Sequence, residues 1–409
     1  MIRRREMIEF PDTPSSYSGY AGKYARVNTG ETGLEFSTVS GGSAVEGATL
    51  VVAASDSKDT SRADYVCDGT NDEYEIETAI GALPAGGGCI SLLEGTYSIS
   101  SSIDVTKSNV CIVGNGHSTI LSTTEAHVFV VGDGTNSYNN IRISNLRINS
   151  TSVYHGVHCK KNITYSTFDN LYVYDSYHGV FFDLGGCHYN TVYNCIFDDQ
   201  FGAGVEIEDG CYHNTIEICN ITGSLSEGIY ISDGSYTKII GCTIKSGVNY
   251  GIQTTEHSHS VKIIGNTINA DVYGIQVGGY GDTSTSKRTI ISGNTIYECG
   301  QHGIHVDYLD DSRISGNTII SSSQDTDATY HGINIDHANN VAVSGNTIRR
   351  GDLTNKPAYG INITANATLV MVHGNDLYDS GSTGDINDAG TNTRKRDNIA
   401  NDGTWMTDV

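Results

Sequence analysis

Four carboxylates recur in step near the middle of this chain: Asp183, Glu206, Glu208 and Glu227, with Asp209, Tyr230 and His178 close by. Acids crowded together do not titrate alike. One is pushed to keep its proton while a neighbour stays ionised. That division of labour suits glycoside hydrolysis, which needs one acid and one base or nucleophile. Asp183, Glu206 and Glu208 are the expected catalytic set. The same oxygens would also suit Ca²⁺, or form a plain solvated acidic face. A second group, His302, His305, Asp307, His331, Asp336 and His337, sets imidazoles beside acids. Such a set can abstract a proton α to a uronate carboxyl, the step of a lyase or an epimerase. No tight ligand spacing of the His-Glu-x-x-His kind occurs, so no metal site is expected.

These residues meet only if the backbone returns to the same place about every two dozen positions. Two registers indicate that it does. One is a glycine that opens an alternating apolar stretch: Gly156, Gly179, Gly204, Gly228, Gly251, Gly274, Gly303, Gly332 and Gly360. The other is Leu146, Leu171, Cys195, Cys219, Cys242, Asn266, Asn294, Asn317, Asn346 and Asn375. A fixed period of this size marks a solenoid. Within each unit the apolar residues alternate, as in Ile229 and Ile231 or Ile333 and Ile335, which is strand periodicity. The units are too short for a helix, and they are rich in Ile, Val, Asn and Gly rather than Leu.

The expected fold is all-β, a right-handed single-stranded parallel β-helix. Ten or more coils with strands roughly 4.8 Å apart would make a rod about 50 Å long. The position shared by Leu, Cys and Asn should point inward, so Asn266 to Asn375 read as a buried hydrogen-bonded ladder. The second and fourth residues after each glycine, and the residue before it, should point outward. With the catalytic set excluded, the substrate-binding strip comprises His155, His158, His178, Glu227, Tyr230, Tyr250, Gln253, Tyr273, Gln276, His302, His305, Asp307, His331 and Asp336. Rings stack on sugar faces, while amides and acids bind hydroxyls, so the strip suits a polysaccharide.

The chain has 409 residues and a formal charge of −23. A nucleic-acid partner is excluded, because no basic face is available to neutralise phosphates. No apolar run approaches membrane-spanning length, so no membrane insertion is expected. The basic start Met1-Ile2-Arg3-Arg4-Arg5-Glu6 has no apolar core after it and does not read as a signal peptide. Cys195, Cys219 and Cys242 share one repeat position, as do Cys187 and Cys211. Stacked thiols explain this better than a disulfide framework, with a Cys187–Cys211 bridge as the alternative. One helix is predicted, over residues 71–83. Thr70 and Glu73 have capping-box spacing, and Ile76, Ala79, Ile80 and Leu83 share a face. It is placed to plug the first coil. Residues 38–47 read as a Ser/Gly linker.

The run Asp68-Gly69-Thr70-Asn71-Asp72, the helix, Gly86-Gly87-Gly88, Leu93-Glu94-Gly95-Thr96-Tyr97 and Val113-Gly114-Asn115-Gly116 resembles the opening segment of pectate-lyase-like β-helix proteins. That superfamily includes phage tailspikes. Residues 10–36, from Phe10-Pro11-Asp12 to Gly33-Leu34-Glu35-Phe36, resemble a short module near the N-terminus of phage tail fibres and tailspikes.

The resemblance implies an organisation of residues 1–37 as an attachment module, 48–121 as opening coils with the capping helix, 122–379 as further coils and 380–409 as a C-terminal tail or cap. It implies a homotrimer joined to a phage tail or baseplate through 1–37. Such a protein is made in the host cytoplasm, carried on the virion tail and active at the host cell surface. The function so implied is binding and depolymerisation of a host surface polysaccharide, by hydrolysis at the paired carboxylates. The alternatives are a uronate lyase or epimerase using the His-rich face, and a non-catalytic glycan-binding adhesin.

Overall fold

A computed structural model describes residues 48–245, 249–255, 257–278, 285–400 and 402–406, and the backbone of strands Tyr24–Val27 and Leu34–Ser37. Two compact units result, 1–46 and 47–409. In the first, the two strands pair antiparallel, with Tyr24 opposite Ser37 and Val27 opposite Leu34. The expected linker 38–47 lies outside the described residues.

The second unit is a stack of coils. Each coil gives one strand to a 12-stranded parallel sheet that runs from Ile103–Val105 to Gly384–Asp388. The rest of each coil forms a further parallel ladder, exemplified by Thr191–Tyr193 and Ile196–Asp198 on either side of a bend at Asn194. Alternation explains the core. Val180, Val205, Ile229, Ile252, Ile275 and Ile304 pair in register and are fully buried. Each such side chain contributes roughly 1.5–3 kcal/mol on burial. The repeating glycine is needed for close approach: a Cβ on Gly228 would lie 2.5 Å from the Gly251 carbonyl oxygen and 2.5 Å from Ile244 Cγ2.

The asparagine ladder is present. Asn266 Nδ2 donates to Asn294 Oδ1 at 3.0 Å, and Asn294 Nδ2 to Asn317 Oδ1 at 2.9 Å. The ladder continues through Asn346 and Asn375 to Asn398, which is fully buried. Coil stacking therefore runs beyond 379, where the sequence repeat fades: Gly384–Asp388 and Arg394–Arg396 pair in register with the coil before. All ten cysteines are free thiols.

The helix spans Glu73–Ala82 and buries Ile76, Ala79 and Ile80 against the first strands. The expected capping box does not form. Asp72 is the N-cap, and its carboxylate accepts from the Gly69 and Ser98 backbone instead. Thr70 Oγ1 donates to Asp68, while Glu73 accepts from the backbone and hydroxyl groups of Ser100 and Ser101. The acids thus bond the helix to the first coil rather than to its own first turn.

Candidate active site

The outer face of the 12-stranded sheet carries side chains in rows along the stacking direction. One row is His158, Phe181, Glu206, Tyr230, Gln253, Gln276, His305, Asn334 and Asn362, each in register with the next. Asp183 lies two residues beyond Phe181 on its strand. Glu208 follows Ile207, the partner of Phe182, and its N–H donates to the Phe182 carbonyl at 3.0 Å. Asp183 and Glu208 therefore occupy one outward row on adjacent coils, and the structure brings Asp183, Glu206 and Glu208 together.

The strip is less open than its outward direction implied. Glu206 is only 7% exposed and Gln276 only 1%. Neighbours in the same row cover one another: Gln253 Nε2 donates to Gln276 Oε1 at 2.8 Å, and Asn362 Nδ2 bonds to Asn334 Oδ1 at 2.6 Å.

Hydrogen bonds distinguish the three acids. The Ala203 N–H donates to His178 Nδ1 at 2.9 Å, which leaves the neutral ring's proton on Nε2. His178 Nε2 lies 2.8 Å from Glu206 Oε2 and donates to it. Burial holds His178 down at about 4, so the ring is neutral at pH 7. Glu206 and Glu208 hydrogen-bond to each other. With His178 donating, Glu206 is the acceptor of that pair and Glu208 carries the proton. Burial, then the Glu206 bond and charge, with Asp209 and Asp183 nearby, push Glu208 up to about 8. Asp183 accepts from the Leu184 N–H at 2.6 Å and from His158 Nε2 at 3.1 Å. The cluster thus holds a protonated acid and a hydrogen-bonded carboxylate on one row, with a buried glutamate fixing the acid's proton.

A pocket of about 380 Å³ opens beside this cluster, lined by Tyr177, His178, Phe201, Gly202, Glu206, Leu225, Ser226, Glu227 and Tyr230. Tyr177, Phe201 and Leu225 form its exposed apolar wall and were not singled out by the repeat. Tyr177 stands two residues before its glycine, whereas Phe201 and Leu225 stand three before theirs, so coil-length variation hides the column. Gly202 seats the histidine: a Cβ there would lie 2.4 Å from His178 Cε1.

The remaining strip residues divide into stacks. His155 stacks between His127 and His178, with centroids 4.6 and 5.0 Å away. Tyr230 Oη bonds to Thr255 Oγ1 at 3.0 Å, and Tyr250 packs on Tyr273. His302 stacks on Tyr273, His305 and His331. The His331 N–H donates to His302 Nδ1 at 3.0 Å, so this ring too is held neutral, with its proton on Nε2. His305 Nδ1 lies 3.0 Å from Asn334 Nδ2, and burial holds both His305 and His331 down at about 4. Asp307 pairs with His337 Nδ1 at 3.0 Å, while Asp336 accepts from Thr364 and Asn366. From Glu206 to His305 is four coil steps along the row, about 19 Å. The His-rich group is therefore a separate site.

Among the described residues, three sets bring ligand atoms within 4.8 Å of one another: His127, His155 and His158; Cys67, Asp72 and Glu75; and Asp307, Asp336 and His337. In the first, His127 Nδ1 accepts the His155 N–H, which leaves the proton on the nitrogen a metal would need. The carboxylates considered for Ca²⁺ are engaged with one another and with His158 and His178.

Comparison with known proteins bears on the fold. Residues 97–268 and 268–400 match the family described as right handed beta helix region. No curated protein matches the chain in sequence. The structure is similar to the A-module of mannuronan C-5 epimerase AlgE6 from Azotobacter vinelandii, at TM-score 0.62 and 17% identity, covering 80% of this chain and 96% of that one. It is similar to the catalytic unit of a thermostable GH87 alpha-1,3-glucanase from Streptomyces thermodiastaticus, at TM-score 0.64 and 13% identity, covering 91% and 73%. The Dettilon tailspike protein gives TM-score 0.55 and 15% identity, covering 79% and 66%.

Proposed function

The chain belongs to the right-handed β-helix family, and from that premise we propose that it is a polysaccharide-processing enzyme of the tailspike kind, cleaving a host surface glycan by hydrolysis. One observation carries the reading: Glu208 shares a hydrogen bond with a buried Glu206 that His178 also holds, one coil from Asp183 in the same outward row. Glu208 donates its proton to the glycosidic oxygen. Asp183 serves as base toward water or as nucleophile, and Glu206 positions the acid. Glucanase, epimerase and tailspike proteins share this fold, which supports a glycan substrate. Attachment to a phage tail through residues 1–37, assembly as a homotrimer and a place on the virion belong to the same proposal and rest on the resemblance of residues 10–36.

Product analysis tests it. The full chain is incubated with purified bacterial surface polysaccharides. New reducing ends without new ultraviolet absorbance are expected, and both Asp183→Asn and Glu208→Gln should abolish them. Absorbance from a new double bond would move the chemistry to the His302 and His305 group. Binding without either product would make the protein an adhesin.

A further inference from the structure

The pocket beside the carboxylate cluster combines two features that restrict its ligand, given the reading of the groove as a glycan site. The first is the wall. Tyr177, Phe201 and Leu225 are 37%, 51% and 59% exposed, one on each of three successive coils. The Tyr177 and Phe201 rings lie 5.9 Å apart and tilted by 33°, so they form a contiguous surface without covering each other. Large apolar side chains gathered at the mouth of a pocket mark a surface made to be covered, and rings of this kind stack on the C–H faces of sugars.

The second feature is charge. Glu206 and Glu227 line the pocket, and Asp183 stands beside it, with Glu208 next to it in its protonated form. Among the described residues on the three outward rows of the 12-stranded sheet, Lys160 is the single lysine or arginine. It lies in register with Asp183, two coil steps from Glu208 and outside the pocket. Glu227 faces His178, which is neutral at pH 7, and takes a hydrogen bond from Ser226, and no lysine or arginine is among the groups acting on it. A uronate, sulfate or phosphate seated against the wall would meet Glu206 and Glu227 with nothing to pair it. An uncharged sugar meets no such opposition, and an ammonium group would gain a partner in Glu227 and a ring face in Phe201.

We propose that this pocket selects a sugar unit that carries no acid group, either uncharged or amino-bearing, stacked on Tyr177 and Phe201 with its polar substituent toward Glu227. The inference sets this groove apart from uronate-processing sites on the same fold, because the charge of the side chains, and not the architecture, decides it.

The test is an array of immobilised polymers in three charge classes: neutral α- and β-glucans, glucosamine polymers, and acidic polymers (polygalacturonate, polymannuronate and dextran sulfate). The full chain is compared with Phe201→Ala, whose exposed site leaves the core intact, as circular dichroism would verify. Retention is expected only in the neutral or glucosamine classes, weakened at least tenfold in Phe201→Ala. A glucosamine ligand would also be released by added salt, and a neutral one would not. Retention of an acidic polymer that Phe201→Ala abolishes overturns the charge selection while leaving the glycan reading intact. Retention that Phe201→Ala leaves unchanged overturns the assignment of the wall. Retention in no class overturns both the inference and the glycan reading beneath it.

Discussion

A proton shared between Glu206 and Glu208 must rest on one of them, and His178 decides which. Its Nε2–H donates to Glu206 because its Nδ1 is committed to the Ala203 N–H. Glu206 is thereby favoured as the anion of the pair, and burial, then the Glu206 bond and charge, hold the Glu208 proton up to about 8. An acid with this value is competent at neutral pH and is lost above it. The expected pH profile of kcat/KM therefore has a basic limb near pH 8, falling tenfold per unit. Glu208→Gln should lower kcat by roughly 10²–10⁴-fold. Glu206→Gln should act differently. It removes the negative charge that helps to raise Glu208 while burial, the larger cause, stays, so the basic limb moves down and activity survives at lower pH. An unmoved limb in Glu206→Gln would show that Glu208 is not the titrating group. The carboxylates were legible from their spacing, but their roles were not. Those depend on a ring nitrogen meeting a backbone N–H one coil away, and on Gly202 leaving room for the ring.

The coil, as an element, depends on groups that only the next coil can satisfy. Asn294 accepts from both the N–H and the Nδ2 of Asn266, and donates to Ile263 O and Asn317 Oδ1, all within the core. Asn294→Ala would take the acceptor from the Asn266 N–H and a donor from the Ile263 carbonyl, while Asn266 Nδ2 keeps Ile239 O and Asn317 Oδ1 keeps the residue-294 N–H, at roughly 1–3 kcal/mol for each buried group left without a bond. A lowered midpoint in chemical denaturation should report it, with a larger effect than Lys262→Ala, whose side chain is exposed. An equal effect would mean that the ladder contributes nothing specific. The ladder was readable because Gly-Asn-Thr-Ile repeats almost unchanged. Its last rung was not, because the bend before Asn398 is made by Asp397 at φ 53° where Gly374 at φ 63° serves the coil before. Asp tolerates the left-handed region, so the geometry persists after the motif is gone. The helix was legible from its apolar face, whereas its capping box was displaced because Glu73 and Asp72 found partners on the Ser98–Ser101 stretch, remote in sequence. Contacts that cross coils are what a period can locate but not choose between.

Across the whole molecule the imidazoles act together on stability. Burial depresses His127, His178, His305 and His331 to about 4 and His155 to about 2. In the unfolded chain each returns to its ordinary value near 6.5. Between pH 6.5 and 4 the unfolded state therefore binds protons that the folded state refuses, and stability falls as pH falls, by about 1.4 kcal/mol per pH unit for each ring fully engaged. Glu208 works in the opposite sense. Its folded value near 8 lies above its ordinary 4.5, so it favours the folded state as pH drops from 8 to 4.5. Burial also raises Asp72, Glu75, Glu77, Asp104, Glu206, Glu227 and Asp307 in that sense, by less than Glu208, and lowers His158, His188, His259 and His302 together with the five rings, so the histidines set the sign below 6.5. The thermal midpoint should be highest near neutral pH and drop steeply on acidification from 6.5 to 4, with several protons taken up on unfolding at pH 5 by calorimetry in buffers of different ionisation enthalpy. The loss should lessen in a His155→Phe variant, which keeps the stack on His127 and His178 without the titrating nitrogen. A midpoint flat from pH 7 to 5 would mean that the stacked rings reach solvent and protonate freely, and the neutral Nε2–H form that places the proton on Glu208 would then lose its support.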